Sequence, residues 1–123
     1  MFELRTGLDL CGIHRMEEAL GHPHFLDRCL TPEERAYLAG KGAGQAATLA
    51  GLWAAKEAVL KALGTGIALP MAEVEILHDE AGAPVCRLSG RAAELAGGGT
   101  VSVSITHEAG MAAAFCVLVR PGA

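Results

Sequence analysis

Glu57 and Lys61 are the first residues of this chain whose types and spacing suggest chemistry. The 123-residue sequence contains only three lysines, and two of them, Lys56 and Lys61, flank Glu57. On a helix, Glu57 and Lys61 stand at i and i+4, with Trp53 and Gly64 near the same line. Two readings fit that spacing. One is a surface ion pair contributing ~0.3–0.5 kcal/mol. The other is a lysine-bearing helix end beside the turn Gly64-Thr65-Gly66, where a phosphorylated ligand can approach the backbone closely. Asp9, between Leu8 and Leu10, is a second carboxylate. Either it faces solvent or it converges with Glu57. Convergence would make a magnesium site, because magnesium takes one or two protein carboxylates and completes its shell with water and substrate phosphates. His107 follows the hydroxyl-rich run Ser102-Val103-Ser104-Ile105-Thr106, as either an exposed turn residue or a phosphate contact at a strand end. His14, His22, His24 and His78 show no metal-ligand spacing and are assigned no role.

Several familiar chemistries are excluded. The chain has no Walker A lysine loop and no G-x-S-x-G nucleophile elbow. Gly64-x-Gly66 lacks the third glycine of a dinucleotide fingerprint and follows a helix instead of a strand.

The elements that must position these residues can be read from periodicity. Residues 3–10 alternate, with Leu4, Thr6, Leu8 and Leu10 on one face and Glu3, Arg5, Gly7 and Asp9 on the other, which predicts a half-buried strand. Ile13, Met16 and Leu20 predict a short helix, stopped by Gly21-His22-Pro23. Thr31-Pro32-Glu33-Glu34 predicts a capping box, opening a helix that ends near Gly40. The longest helix should run from Gln45 to Leu63 on a stripe of Leu49, Trp53, Leu60 and Leu63, widened by Leu52 and Val59, with Gly64 as its C′ residue. Strands are predicted over 73–77 and 84–88, around the turn His78 to Ala83. Ser89 should cap a helix through Leu95, ended by Gly97-Gly98-Gly99. Strands 101–106 and 111–119 then meet at Glu108-Ala109-Gly110. Helices mixed with antiparallel strands predict an α+β fold, in one domain spanning residues 1–123. Strand 111–119 is apolar on both faces, which in so short a chain points to cover by another subunit.

Composition narrows the partners. Apolar residues make up 51% and aromatics only 4%, so the core must be built from Ala, Leu, Val and Ile, with alanine and glycine allowing close backbone approach. The net charge of −4 argues against nucleic acid as partner. Residues 1–61 hold seven Lys or Arg against eight acids and residues 62–123 three against six, which places any basic patch in the first half. No apolar run reaches the ~18–20 residues that span a bilayer. The start Met1-Phe2-Glu3-Leu4-Arg5 is not patterned as a signal peptide. Cys11, Cys29, Cys86 and Cys116 are scattered without a C-x-x-C pair, as expected of free thiols in a reducing cytoplasm.

Three ordered segments resemble the holo-acyl-carrier-protein synthase family of phosphopantetheinyl transferases, of the small single-domain type. They are Gly7-Leu8-Asp9-Leu10, the run Leu49 to Ile67 with its W-x-x-K-E-A-x-x-K pattern, and Ser102 to His107. Phe25 to Thr31 and the turn Gly82-x-Pro84 also resemble family positions. The resemblance implies transfer of 4′-phosphopantetheine from coenzyme A to a serine of an acyl carrier protein, with magnesium as cofactor. It implies that Asp9 and Glu57 hold the metal, that Lys61 stabilises charge on the pyrophosphate, and that Gly64, Pro84 and His107 contact coenzyme A, with His107 near the ribose 3′-phosphate. It implies that Glu57 helps to deprotonate the carrier serine, directly or through a water. Arg15 and Arg28 match basic positions that face the acidic carrier. The family's chains form trimers with active sites shared between neighbours.

The chain departs from the family at three positions. Leu52 stands where many relatives have arginine, Gly12 where glutamate is usual, and His24 where arginine is frequent. The loop after Ile67 is short. A rival reading from a different class is a non-catalytic protein of the same fold that binds coenzyme A or a carrier protein. The pathway served, fatty-acid synthesis or another, is left open.

Overall fold

The computed structural model of the chain describes residues 1–64 and 69–122. The expected glycine-rich turn at Thr65 and Gly66, and Ile67 after it, lie outside the described residues. The elements are β1 (Phe2–Gly12), α1 (Ile13–Ala19), α2 (Pro23–Cys29), α3 (Pro32–Ala39), α4 (Gln45–Leu63), β2 (Val74–His78), β3 (Pro84–Leu88), α5 (Gly90–Ala96), β4 (Thr100–Glu108) and β5 (Met111–Pro121). Three strands form an antiparallel sheet in the order β1-β5-β4, and β2 and β3 form a separate hairpin. Helix α4 lies against β1 and β5 and also touches β4, β2, α1, α3 and α5. The architecture is α+β, as expected.

What lets α4 settle so low on the sheet is the absence of side chains between them. A Cβ built on Gly7 would stand 1.7 Å from the carbonyl oxygen of Ala58. That carbonyl accepts a hydrogen bond from the Cys116 thiol at 3.3 Å, and Cys116 is the register partner of Gly7. Ala54, Ala55, Ala58 and Ala62 are buried along the helix. The small residues anticipated from composition therefore sit where helix and strands touch. Burial runs almost all the way round α4, well beyond the predicted leucine stripe, and Trp53 and Leu60 on that stripe are only partly covered.

The expected half-buried alternation in β1 is present, and the covered face is the one without the leucines. Glu3, Arg5, Gly7, Asp9 and Cys11 turn toward α4, while Leu4, Leu8 and Leu10 remain 66%, 60% and 62% exposed. The physical reason is Gly7: only the small-residue face admits the helix. On β5 the buried side is Ala112, Ala114, Cys116 and Leu118, and Met111, Phe115 and Val119 are exposed. The register sets Leu8 beside Phe115 and Leu4 beside Val119, so the outer face of β1 and β5 is apolar but for Thr6, and β4 borders it with Thr100, Ser102, Ser104 and Thr106.

Smaller departures have local causes. Helix α2 opens with Pro23 at its first turn, so the residue read as a helix stop also starts the next helix. The Ser89 side chain makes no cap. The Glu73 carboxylate accepts from Ala92 N–H at 3.0 Å in its place. The capping box of α3 is fully formed: Glu34 N–H donates to Thr31 Oγ1 at 3.2 Å, and Thr31 N–H to Glu34 Oε1 at 2.9 Å. Gly64 ends α4 in the left-handed region at φ 69°. Ala109 and Gly110 both take positive φ in the β4–β5 turn.

Candidate active site

Asp9 reaches the site because β1 turns its odd-numbered residues to α4. Lys61, in the last turn of that helix, donates to Leu8 O at 2.9 Å and to Asp9 Oδ1 at 3.1 Å. The Glu57–Lys61 surface pair, one reading of the spacing, does not form: the cation goes to the strand, and Glu57 makes no ion pair among the described residues. With Lys61 half-exposed, its pair with Asp9 contributes at most ~1 kcal/mol. Its consequence is placement of an ammonium beside a carboxylate. Cys11, two residues along the same strand face, reports on the surroundings. Burial pushes its thiol pKa up, the Arg15 guanidinium pulls it down, and the Asp9 and Glu57 carboxylates both push it up. Glu57 stands one helical turn before Lys61, so Lys61 is the link between the two carboxylates.

Lys56 has no part in that cluster. It is wholly buried, and its Nζ donates to Glu34 Oε1 at 2.8 Å, Met71 O at 3.0 Å and Val74 O at 2.6 Å. Glu34 Oε2 accepts from Ile76 N–H at 2.8 Å. Burial drives the Lys56 pKa down and Glu34 opposes this. All three ammonium protons are satisfied, so the pair clamps α3, α4 and β2 together beside Glu57.

A cavity of about 200 Å³ lies by the N-terminal half of α4. Its lining includes Tyr37, Thr48, Leu52, His78, Pro84 and His107, so Pro84, His107 and Leu52 come together there from distant parts of the chain. His107 Nε2 lies 2.9 Å from Ala47 O. A carbonyl only accepts, so Nε2 holds a proton, and Nδ1 meets an anion directly only in the imidazolium form. Gly51 makes room for this ring: a Cβ there would lie 3.2 Å from His107 Nε2. A second cavity, about 530 Å³, is lined by Arg15, Met16, His22, His24, Phe25 and Arg28 among others. Arg15 and Arg28 therefore share this cavity. Gly64 joins neither cavity's lining; the Arg5 guanidinium covers it while Arg5 Nε donates to Ala62 O at 2.8 Å.

The family model of the 4′-phosphopantetheinyl transferase superfamily matches residues 5–116. The chain belongs to that superfamily. Among curated transferases, the holo-[acyl-carrier-protein] synthase of Treponema denticola is 36% identical over 119 residues, covering 94% of this chain and 97% of its own. Among solved structures, the Chronobacterium ammoniagenes ACPS–CoA complex superposes with a TM-score of 0.82 at 32% identity, covering 94% of this chain and 96% of that one. The Helicobacter pylori holo-[acyl-carrier-protein] synthase in complex with coenzyme A gives 0.79 at 32% identity, over 92% and 98%.

Within this transferase the expected site residues fall into three groups. Asp9, Glu57 and Lys61 gather at the C-terminal half of α4, Pro84 and His107 at its N-terminal half, and Arg15 and Arg28 at α1 and α2. Along the helix the first two groups are roughly 10 Å apart at 1.5 Å per residue. The sequence reading missed Tyr37, Thr48 and His78. Only the hairpin pairing of His78 with Pro84 draws that histidine into the cavity, and residue spacing does not reveal it. Lys56 was legible in principle: with Glu57 it interrupts the apolar run of Ala54-Ala55 and Ala58-Val59. No helix among the described residues is long and apolar enough to cross a membrane, and all four cysteines are free.

Proposed function

We propose that this single-domain chain transfers 4′-phosphopantetheine from coenzyme A to a serine of an apo acyl carrier protein, in the cytoplasm, with magnesium at Asp9 and Glu57. The observation that supports it most is the cluster of Asp9, Glu57 and Lys61, together with membership of the superfamily. The donor set fits magnesium. Among the described residues no three His, Cys, Asp or Glu side chains form a metal cage. A pair of carboxylates suits a hard cation that keeps water and phosphate ligands. When bound, the ion supplies neutralising charge on the pyrophosphate. Lys61 adds a second positive charge at the same place, held by Leu8 O and Asp9. Glu57, without an ion-pair partner among the described residues, serves as base for the carrier hydroxyl, directly or through a water. The serine oxygen forms a bond to the β-phosphorus, the P–O bond to the α-phosphate breaks, and adenosine 3′,5′-bisphosphate leaves. The Pro84–His107 cavity takes the 3′-phosphoadenosine end, and a ligand reaching Gly64 would have to displace the Arg5 guanidinium that covers it. Weighing an apo carrier after incubation with the chain, coenzyme A and magnesium tests the reading.

The acidic carrier docks at the Arg15–Arg28 cavity. Both proteins are net acidic, so docking rests on local charge, which screening over ~8 Å at physiological salt leaves effective. Arg15→Glu and Arg28→Glu are each expected to raise the carrier KM roughly tenfold, more at low salt, with little change in coenzyme A affinity. Steady-state kinetics with each substrate varied in turn checks this. An unchanged carrier KM and salt dependence would remove the patch from the account.

The protein acts as a homotrimer, with active sites shared between neighbours. The support is the outer sheet face, where Leu4, Leu8, Leu10 and Phe115 are exposed side by side. Covering one such leucine contributes ~1.5–3 kcal/mol, so leaving the face in water is costly. Sharing also accounts for catalytic and cofactor groups that occupy different parts of α4. Light scattering at micromolar concentration should give three chain masses; a monomer contradicts the assembly.

A further inference from the structure

We propose that His78 is a second imidazole contact, beside His107, for the phosphorylated ribose end of coenzyme A. The inference rests on the reading that this cavity takes coenzyme A.

His78 is built into the cavity wall by rigid elements. It ends β2 opposite Pro84, across a hairpin closed by Asp79 N–H to Ala83 O at 3.0 Å and Gly82 N–H to Asp79 O at 2.9 Å. Its ring stacks on Tyr37, with centroids 4.2 Å apart and planes at 9°. Tyr37 is held in turn by Lys41, whose Nζ lies 4.3 Å from the ring centroid. Such packing fixes a rotamer and lowers the ordering cost of a contact.

The chemistry of the wall suits a phosphorylated nucleoside. The chain has 14 acids against 10 Lys and Arg, yet no Asp or Glu appears among the residues lining this cavity. Two imidazoles, a phenol and the Thr48 hydroxyl supply polar groups, and Leu52, Pro84 and Ile105 supply apolar surface for a base. His78 Nδ1 is buried with no hydrogen-bond partner among the described residues. A buried polar atom in that state is costly and calls for a partner, a water or a ligand group, that a small shift of the ring would bring within reach.

The charged groups around His78 set the direction of its response. Burial and the Lys41 ammonium hold its pKa below the usual histidine value, and Asp79 opposes them. The free ring is therefore neutral near pH 7, and an arriving phosphate dianion favours its protonation. His107 shares the cavity and Tyr37 the stack, so both belong in the comparison.

Calorimetric titration of the assembled protein with coenzyme A and with 3′-dephospho-coenzyme A, at pH 6 and pH 8, tests the assignment. The wild-type chain should prefer the 3′-phosphorylated ligand, more strongly at pH 6. His78→Asn should lower that preference about tenfold, as loss of a charge-assisted hydrogen bond does. His78→Phe keeps the stack on Tyr37 and should lose the preference equally, which separates the phosphate contact from packing. If both variants keep the wild-type preference and its pH slope while His107→Asn loses them, His78 has no such role and the cavity reading stands. If the wild-type chain does not distinguish the two ligands, both the cavity reading and this proposal fall.

Discussion

Glu57→Gln is expected to lower the turnover number for phosphopantetheine transfer by ~10³-fold or more while leaving the fold intact. Glutamine matches glutamate in shape but offers neither the charge a divalent cation needs nor a basic oxygen for the carrier serine. Loss of general-base assistance alone removes ~10²–10⁴ in rate, and loss of a metal carboxylate adds to it. Stability should barely move, because Glu57 is partly exposed and makes no ion pair among the described residues. Asp9→Asn should lose comparable activity, and in addition ~1 kcal/mol or less of stability with its contact to Lys61. Single-turnover assays with saturating coenzyme A, alongside thermal unfolding, separate the two effects. Near-normal turnover in Glu57→Gln would refute the assigned chemistry.

Lys56→Ala should do the reverse, destabilising the protein by ~3–5 kcal/mol. Removal of the ammonium leaves the Glu34 carboxylate with its charge unpaired in the core and takes the donor from Met71 O and Val74 O. At roughly 4 °C per kcal/mol for a chain of this size, the unfolding midpoint should fall by ~10–20 °C. Lys56→Met combined with Glu34→Leu should recover part of the loss, since a buried ion pair exchanged for apolar groups is often near neutral. Differential scanning calorimetry of both variants checks this. A shift under ~3 °C for Lys56→Ala would mean that water reaches Glu34 and that the clamp is not closed.

The adjacent residues Lys56 and Glu57 mark how far sequence reasoning reaches. The pattern around them located the helix, and its bounds of Gln45 and Leu63 were legible from periodicity and from Gly64. The capping box at Thr31 was legible for the same reason: it is a local hydrogen-bond arrangement complete within four residues. Alternation in β1 told which side chains share a face but not which face would be covered. That depends on Gly7 meeting the Ala58 carbonyl, a contact between residues 51 positions apart. Lys61 found Asp9 in preference to Glu57 because a strand carbonyl and a carboxylate together hold an ammonium better than one flexible glutamate on its own helix. Helix α2 was not expected because Pro23 signals an end and a beginning alike. The β2–β3 hairpin itself was legible from its turn, but the cavity around His107 also needs that hairpin to lie against α4, and no local pattern encodes that packing.

The most direct test of the central claim is the mass of an apo acyl carrier protein after incubation with this chain, coenzyme A and magnesium. The account predicts that the carrier gains one 4′-phosphopantetheine and that adenosine 3′,5′-bisphosphate is released in equal amount, with neither product formed by Glu57→Gln or in excess chelator. A carrier of unchanged mass in the presence of a chain that binds coenzyme A would contradict it, and would make the protein a binding module on a transferase fold.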